Sequence, residues 1–142
     1  MQPWETESSA VVADYSIFRV RKDHCRSPRT RRAHDFWVLE TTDWVNVVAL
    51  TPDEQVVLVR QYRYPTAKVL LEIPAGKRDP GEDQLVCAQR ELREETGYVA
   101  REWAYGGEIH NAAAYSSESI WIWLARGLVA GPARPDAGEF VE

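Results

Sequence analysis

Cysteine is scarce in this chain, and its scarcity excludes whole classes of protein. Cys25 and Cys87 are the only two, and they lie far apart in different kinds of segment. Two thiols make neither a disulfide scaffold nor, alone, a zinc site, so a reduced, cytoplasmic setting is expected. Long apolar runs are missing too. No stretch approaches the ~20 residues of a membrane span, so no membrane partner is expected. The start "MQPWETESSA" has no basic region followed by an apolar run, so no signal peptide is expected. Positive charge is not in excess: 17 Lys and Arg stand against 22 Asp and Glu, a net −5. That argues against a nucleic-acid binder driven by global charge. A phosphate-bearing substrate would have to be met by local cations or a metal. There is no internal repeat and no interdomain linker.

What remains is an ordinary globular composition, 44% hydrophobic and 27% charged over 142 residues. That is one domain's length, 1–142, with enough chain to bury a core. Six tryptophans read mostly as core or interface residues. Along the chain, "SAVVADYSIFRVRKD" alternates weakly and reads as one strand. "HCRSPRTRR" is a basic turn whose arginines could hold an anion or simply be solvated. "AHDFWVLE" and "WVNVVAL" read as strands, and "VNVVALTPDEQVVLVRQYRY" as a hairpin. "KVLLEIPAG" is a further short strand. "REWAYGGEIHNAAAYSSES" reads as irregular with room for a strand, "IWIWLARGL" as a strand, and "VAGPARPDAGEFVE" as loose. Many strands with one clear helix point to an α+β, mixed-sheet fold.

That helix is expected to be capped by Asp83 and stopped by Gly97. On a helical wheel Leu85, Ala88 and Leu92 fall within about 60°, the expected buried stripe. Glu91, Glu94 and Glu95 span about 100° on one flank. Crowding like charges at i and i+4 opposes a helix. The flank is either solvated, with Arg90–Glu94 as an ion pair, or a site for a hard divalent cation such as Mg²⁺ or Mn²⁺.

The spacing G-x5-E-x7-R-E-L-x-E-E-x-G-Y is filled by Gly76, Glu82, Arg90, Glu91, Leu92, Glu94, Glu95, Gly97 and Tyr98. Nine such positions coincide by chance in well under ~1 in a million chains of this size. The segment resembles the complete Nudix box. With "VVLVRQYRYP" and "LLEIPAG" before it, the chain over about residues 11–128 is similar to the ADP-ribose and nucleotide-sugar pyrophosphatase branch of the Nudix hydrolases.

The resemblance implies a mixed β-sheet packed with helices in an α/β/α sandwich, here with shortened C-terminal elements. It implies Mg²⁺-dependent cleavage of a nucleoside diphosphate linked to a sugar-like group, ADP-ribose first, giving AMP and ribose 5-phosphate. Glu91, Glu94 and Glu95 become the metal ligands, joined by the Ala75 carbonyl and by Glu82, with Arg90 orienting the glutamates. Gly76 is expected to allow a sharp turn beside the metal, and Tyr98 to pack. A base outside the helix is expected, with Glu139 ranked before Glu118. Arg63 would contact phosphate and Glu72 a metal or ribose hydroxyl, each unless the residue serves a structural ion pair. Trp37, Phe36 or Tyr62 would stack on the base; Trp37 is taken forward.

Two departures stand out. The branch's proline 15 or 16 residues past the box is replaced by Ala113 and Ala114, while Tyr115, at 17, suits dinucleoside polyphosphate hydrolases. The branch also usually continues beyond a "GEFVE"-like sequence. A homodimer exchanging N-terminal strands within residues 1–45 is the expected assembly. A dinucleoside polyphosphate hydrolase and a non-catalytic nucleotide sensor are the rival readings.

Overall fold

The computed structural model describes residues 2–134. Among them are nine strands, one α-helix and one short 3₁₀ turn, arranged as two compact units. The first unit contains residues 2–42 and His110–Ser119. Strands β1 (Glu5–Asp14), β2 (Arg19–Arg26) and β3 (Ala33–Glu40) form an antiparallel sheet in that order. The single strand expected over "SAVVADYSIFRVRKD" is therefore two. Asp14 Oδ1 accepts the Ser16 N–H at 3.1 Å, and Ser16 takes φ 61°. An Asx-type turn of this kind reverses the chain without glycine. At the other end, Arg26 pairs with Glu7 at 2.5 Å and Arg31 with Glu5 at 3.3 Å. Two of the turn arginines thus serve cross-strand pairing.

The second unit contains Asp43–Ile109 and residues 120–134 among those described. Its mixed sheet runs β7-β4-β9-β8, built from β7 (Ala75–Lys77), β4 (Trp44–Ala49), β9 (Ile120–Val129) and β8 (Val99–Ile109). The β4–β9 pairing is parallel and the other two are antiparallel. Strands β5 (Val59–Arg63) and β6 (Lys68–Glu72) form a separate hairpin. The expected β4–β5 hairpin is thus corrected. Leu50 and Val56 make one isolated bridge, after which the strands take different partners. The near-continuous apolar run of β4 is the mark of a central strand, which needs a neighbour on each edge.

The only α-helix among the described residues, α1 (Gln84–Thr96), starts and stops as its sequence dictates. Asp83 Oδ1 accepts the N–H groups of Leu85 at 2.9 Å and Val86 at 3.3 Å. Gly97 takes φ 75° and returns its N–H to Arg93 O at 2.9 Å. Cys87, Ala88 and Leu92 are fully buried against Val45, Val47, Ala49 and Ala125, and Tyr98 packs beside them. Leu85, expected in this stripe, is only half-buried. The strand allowed for after the helix is the 11-residue β8, which takes in the first half of that segment and is bulged between Tyr105 and Gly107. A glycine pair within a strand marks such a bulge. The α+β class and mixed sheet stand, while the second helical layer of the sandwich has no counterpart among the described residues. No helix among them is long and apolar enough to cross a membrane, which says nothing of strands.

Candidate active site

The buried arc of α1 is not the apolar stripe read from the wheel. It runs through Cys87, Glu91, Glu95, Ala88 and Leu92, so two carboxylates lie inside it. Glu91 is 9% exposed and Glu95 7%. Burying a carboxylate is unfavourable unless donors or a cation hold it. Each has such donors. Gln61 Nε2 donates to Glu95 Oε1 at 2.5 Å, and the Ala75 N–H donates to Glu95 Oε2 at 3.1 Å. Arg90 Nη1 donates to Glu91 Oε1 at 2.7 Å and to Glu94 Oε2 at 3.1 Å.

Arg90 is the hub. Its Nε and Nη2 also reach the two oxygens of Glu82, each at 3.0 Å, and Nη2 donates to Lys77 O at 2.9 Å. The guanidinium holds the Glu82 carboxyl down to about 2, and that same bond raises Arg90 above its ordinary range. Cys87, buried beneath, is pushed up to about 12 by its burial, so it is a packing thiol and not a nucleophile.

Gly76 has a different task from the one expected. It is a β7 residue outside the positive-φ glycines, so no special turn requires it. A Cβ built there would lie 2.0 Å from the Glu91 carboxyl carbon and 2.0 Å from its Oε1. The missing side chain is the space in which the Glu91 carboxylate sits.

These groups open onto a cavity of about 570 Å³ whose lining includes Glu91, Glu94, Glu95, Ala75 and Arg63. Arg63 forks onto Glu72, with Nε to Oε1 at 3.1 Å and Nη2 to Oε2 at 2.8 Å. The structural ion pair therefore exists, and Arg63 still lines the cavity. Glu82 turns both oxygens to Arg90 and accepts the Asp79 N–H at 3.0 Å, so it anchors the hub. Trp37 lies on β3 in the first unit, exposed, with Lys22 Nζ 5.6 Å from its ring centroid. Glu118 is also in the first unit. Glu139 lies outside the described residues. The sequence reading missed Gln61, Trp44, Lys77 and Asp79, which line the same cavity.

A hard divalent cation fits this donor set. Arg90 pairs with three carboxylates, Glu82, Glu91 and Glu94; Glu95 lines the same cavity as Glu91 and Glu94, and the cradle at Gly76 keeps Glu91 pressed to the main chain. Among the described residues no three His, Cys, Asp or Glu groups are placed to hold a metal ion by themselves. Mg²⁺ does not need three, since it binds through one or two carboxylates and completes its octahedron with water and substrate phosphate.

A family model described as NUDIX domain matches residues 41–142. The chain is 36% identical over 130 residues to the ADP-ribose pyrophosphatase of Mycobacterium tuberculosis, covering 88% of this chain and 60% of that protein. It is 40% identical over 100 residues to the methanol dehydrogenase activator of Bacillus methanolicus, covering 69% and 54%. A further 35% identity over 100 residues links it to the ADP-ribose pyrophosphatase of Bacillus subtilis, again covering 69% and 54%. The chain thus spans little more than half the length of these relatives. A crystal structure of an ADP compounds hydrolase superposes with a TM-score of 0.85 at 24% identity, covering 100% of this chain and 77% of that one. That likeness establishes the fold.

Proposed function

This chain belongs to the Nudix family, and from that premise we propose that it hydrolyses a nucleoside diphosphate linked to a sugar-like group. ADP-ribose is the first substrate, giving AMP and ribose 5-phosphate. Relatives named ADP-ribose pyrophosphatase in two bacteria support this choice. The observation that carries the reading is the burial of Glu91 and Glu95 on the core-facing side of α1, with Glu91 pressed into the space at Gly76. A helix that needed only a solvated charged face would not bury two of its three glutamates.

Glu91, Glu94, Glu95 and the Ala75 carbonyl would hold Mg²⁺, with Mn²⁺ as a substitute. When bound, the ion would screen the diphosphate charge and make water a better nucleophile at neutral pH. The rest belongs to the chain. Arg90 holds Glu91 and Glu94 in place, so little reorganisation is needed as charge builds up. Arg63 and Lys77, both lining the cavity, meet phosphate oxygens. Glu72 holds the Arg63 fork flat by its bidentate pair. The base is assigned to Glu139, with Glu118 as the alternative. It takes the proton of the attacking water as the new P–O bond forms in line and the bridging P–O bond breaks. Trp37 is kept as the base-stacking residue, and a homodimer exchanging strands of residues 1–45 as the assembly. A light-scattering mass of one 16.2 kDa chain would exclude that dimer.

Tyr115 lies 17 residues past Tyr98 and is 60% exposed, which favours dinucleoside polyphosphates as the second reading. A panel of ADP-ribose, nucleotide sugars and dinucleoside polyphosphates, incubated with the full chain and Mg²⁺, separates the two by chromatography of products. Turnover confined to dinucleoside polyphosphates moves the assignment to the second reading. No turnover of any substrate leaves a nucleotide sensor.

A further inference from the structure

The geometry points to Gln61 as the residue that positions Glu95 for cation binding, an inference that rests on the function proposed above. Gln61 lies on β5, whose alternation buries Val59 and Gln61 and exposes Arg60 and Tyr62. An amide at the buried position of a strand is worse than a valine there unless it is hydrogen-bonded. Here it is: Nε2 donates to Glu95 Oε1 at 2.5 Å in a buried pair. The main chain of β7 supplies a second donor, Ala75 N–H, to Oε2 at 3.1 Å. The Glu95 carboxylate is thereby gripped from two different strands, and its plane and rotamer follow from theirs.

The chemistry of the gripping group matters. Glu91 and Glu94 share the cationic Arg90, whereas Gln61 brings to Glu95 a donor without charge. A lysine or arginine here would satisfy the same oxygen but repel a divalent cation at close range. A neutral amide orients the carboxylate without adding a positive charge of its own. An ionised carboxylate offers about four lone-pair sites, so two N–H donors do not exhaust it. Groups that orient metal ligands in this way typically carry 10–100-fold of metal affinity.

The test is Mn²⁺ binding to the full chain, followed by the electron paramagnetic resonance of free Mn²⁺, for wild type, Gln61→Met and Glu95→Gln. Methionine keeps the length and apolar stem and removes the N–H. The expected result is a Kd raised about 10–100-fold in Gln61→Met, with near-ultraviolet circular dichroism unchanged and hydrolysis recovering as Mg²⁺ is raised. A folded Gln61→Met that binds Mn²⁺ within about twofold of wild type, while Glu95→Gln loses binding, overturns the inference and reduces Gln61 to a space-filling residue, because loss of a group that orients a metal ligand should cost at least about 10-fold. Wild-type binding by Glu95→Gln would instead overturn the metal site itself. Should Gln61→Met fail to fold, the Gln61 side-chain amide resonance of ¹⁵N-labelled wild type decides. It should shift with Mg²⁺ at the same midpoint as the α1 amides. A stationary resonance while those amides move overturns the inference.

Discussion

Replacing Gly76 with alanine isolates the cradle from the rest of the fold. Gly76 is not among the positive-φ glycines, so alanine fits its backbone and restricts the unfolded chain, worth about 0.4–1 kcal/mol in favour of folding. The new Cβ, however, would stand 2.0 Å from the Glu91 carboxyl carbon and 2.3 Å from its Oε2. Moving the carboxylate from there to an ordinary contact near 3.4 Å is a shift of roughly 1.4 Å. What moves is the far end of a flexible side chain, so the core does not have to yield. The 2.7 Å bond from Arg90 Nη1 to Glu91 would break, at a loss of no more than about 1.5–3 kcal/mol. Net destabilisation is thus about 2.6 kcal/mol at most, and the melting temperature falls by no more than ~10 °C. Catalysis tolerates far less displacement: a misplacement of about 1 Å can lower the rate some 100-fold. Steady-state hydrolysis of ADP-ribose with saturating Mg²⁺, measured beside a thermal melt, should show a kcat/KM loss of about 100-fold or more in a folded protein. A folded Gly76→Ala chain within about threefold of wild type would refute the placement of Glu91 at the reacting centre, because a 1 Å error alone should exceed that.

Three further outcomes follow from the same structure. Gly97→Ala should be strongly destabilising, by about 1–3 kcal/mol or more, because φ is 75° and the Cβ would meet Gly131 O at 2.1 Å, a main-chain atom that cannot swing away; an unchanged melting temperature contradicts this. Asp83→Ala removes the two N-cap bonds and should lower stability in urea by about 0.5–2 kcal/mol while leaving hydrolysis at 25 °C intact; an equal fall in kcat would show the cap to be part of the site. Glu82 is depressed from 4.5 to about 2 by Arg90, so the pair's stabilisation is full above pH 4.5 and is lost as pH falls towards 2. The stability gap between wild type and Glu82→Gln should therefore narrow from pH 6 to pH 3 (about the middle of that window), and a constant gap would place the stabilisation elsewhere.

Some of this was legible in the sequence and some was not, for physical reasons. Local signals carried α1: an aspartate before the apolar positions and a glycine after them set both ends, and both caps are present. Turn chemistry was misjudged where it lacked glycine, at Asp14–Ser16, because an Asx turn is hard to tell from a strand in an alternating segment. Strand partners were out of reach. Nothing local in "VNVVAL" says that its neighbours are residues 75–77 on one edge and 120–125 on the other. The carboxylates were visible by spacing, but their burial was not, because the wheel was centred on Leu85 and not on Cys87. Cysteine counts as a small apolar residue, and giving it that weight turns the buried arc onto Glu91 and Glu95. Gln61 carried a signal that was passed over: in "VRQYR" it alternates with exposed Arg60 and Tyr62, so an amide stands where the strand should bury an apolar side chain. Gly76 was marked by its motif, but only the fold shows that a neighbouring carboxylate, and no turn, forbids a side chain there.

The central claim is that the glutamates of α1 bind a divalent ion which drives hydrolysis of a nucleoside diphosphate. Its most direct test is the rate of AMP release from ADP-ribose by the full chain, in Mg²⁺ and after chelation, for wild type and for Glu95→Gln. Glutamine keeps the shape of Glu95 while removing the charge that a metal ligand needs. The account predicts Mg²⁺-dependent release of AMP by wild type and none above background by a folded Glu95→Gln. Equal rates in the two proteins, or a rate indifferent to chelation, would contradict it.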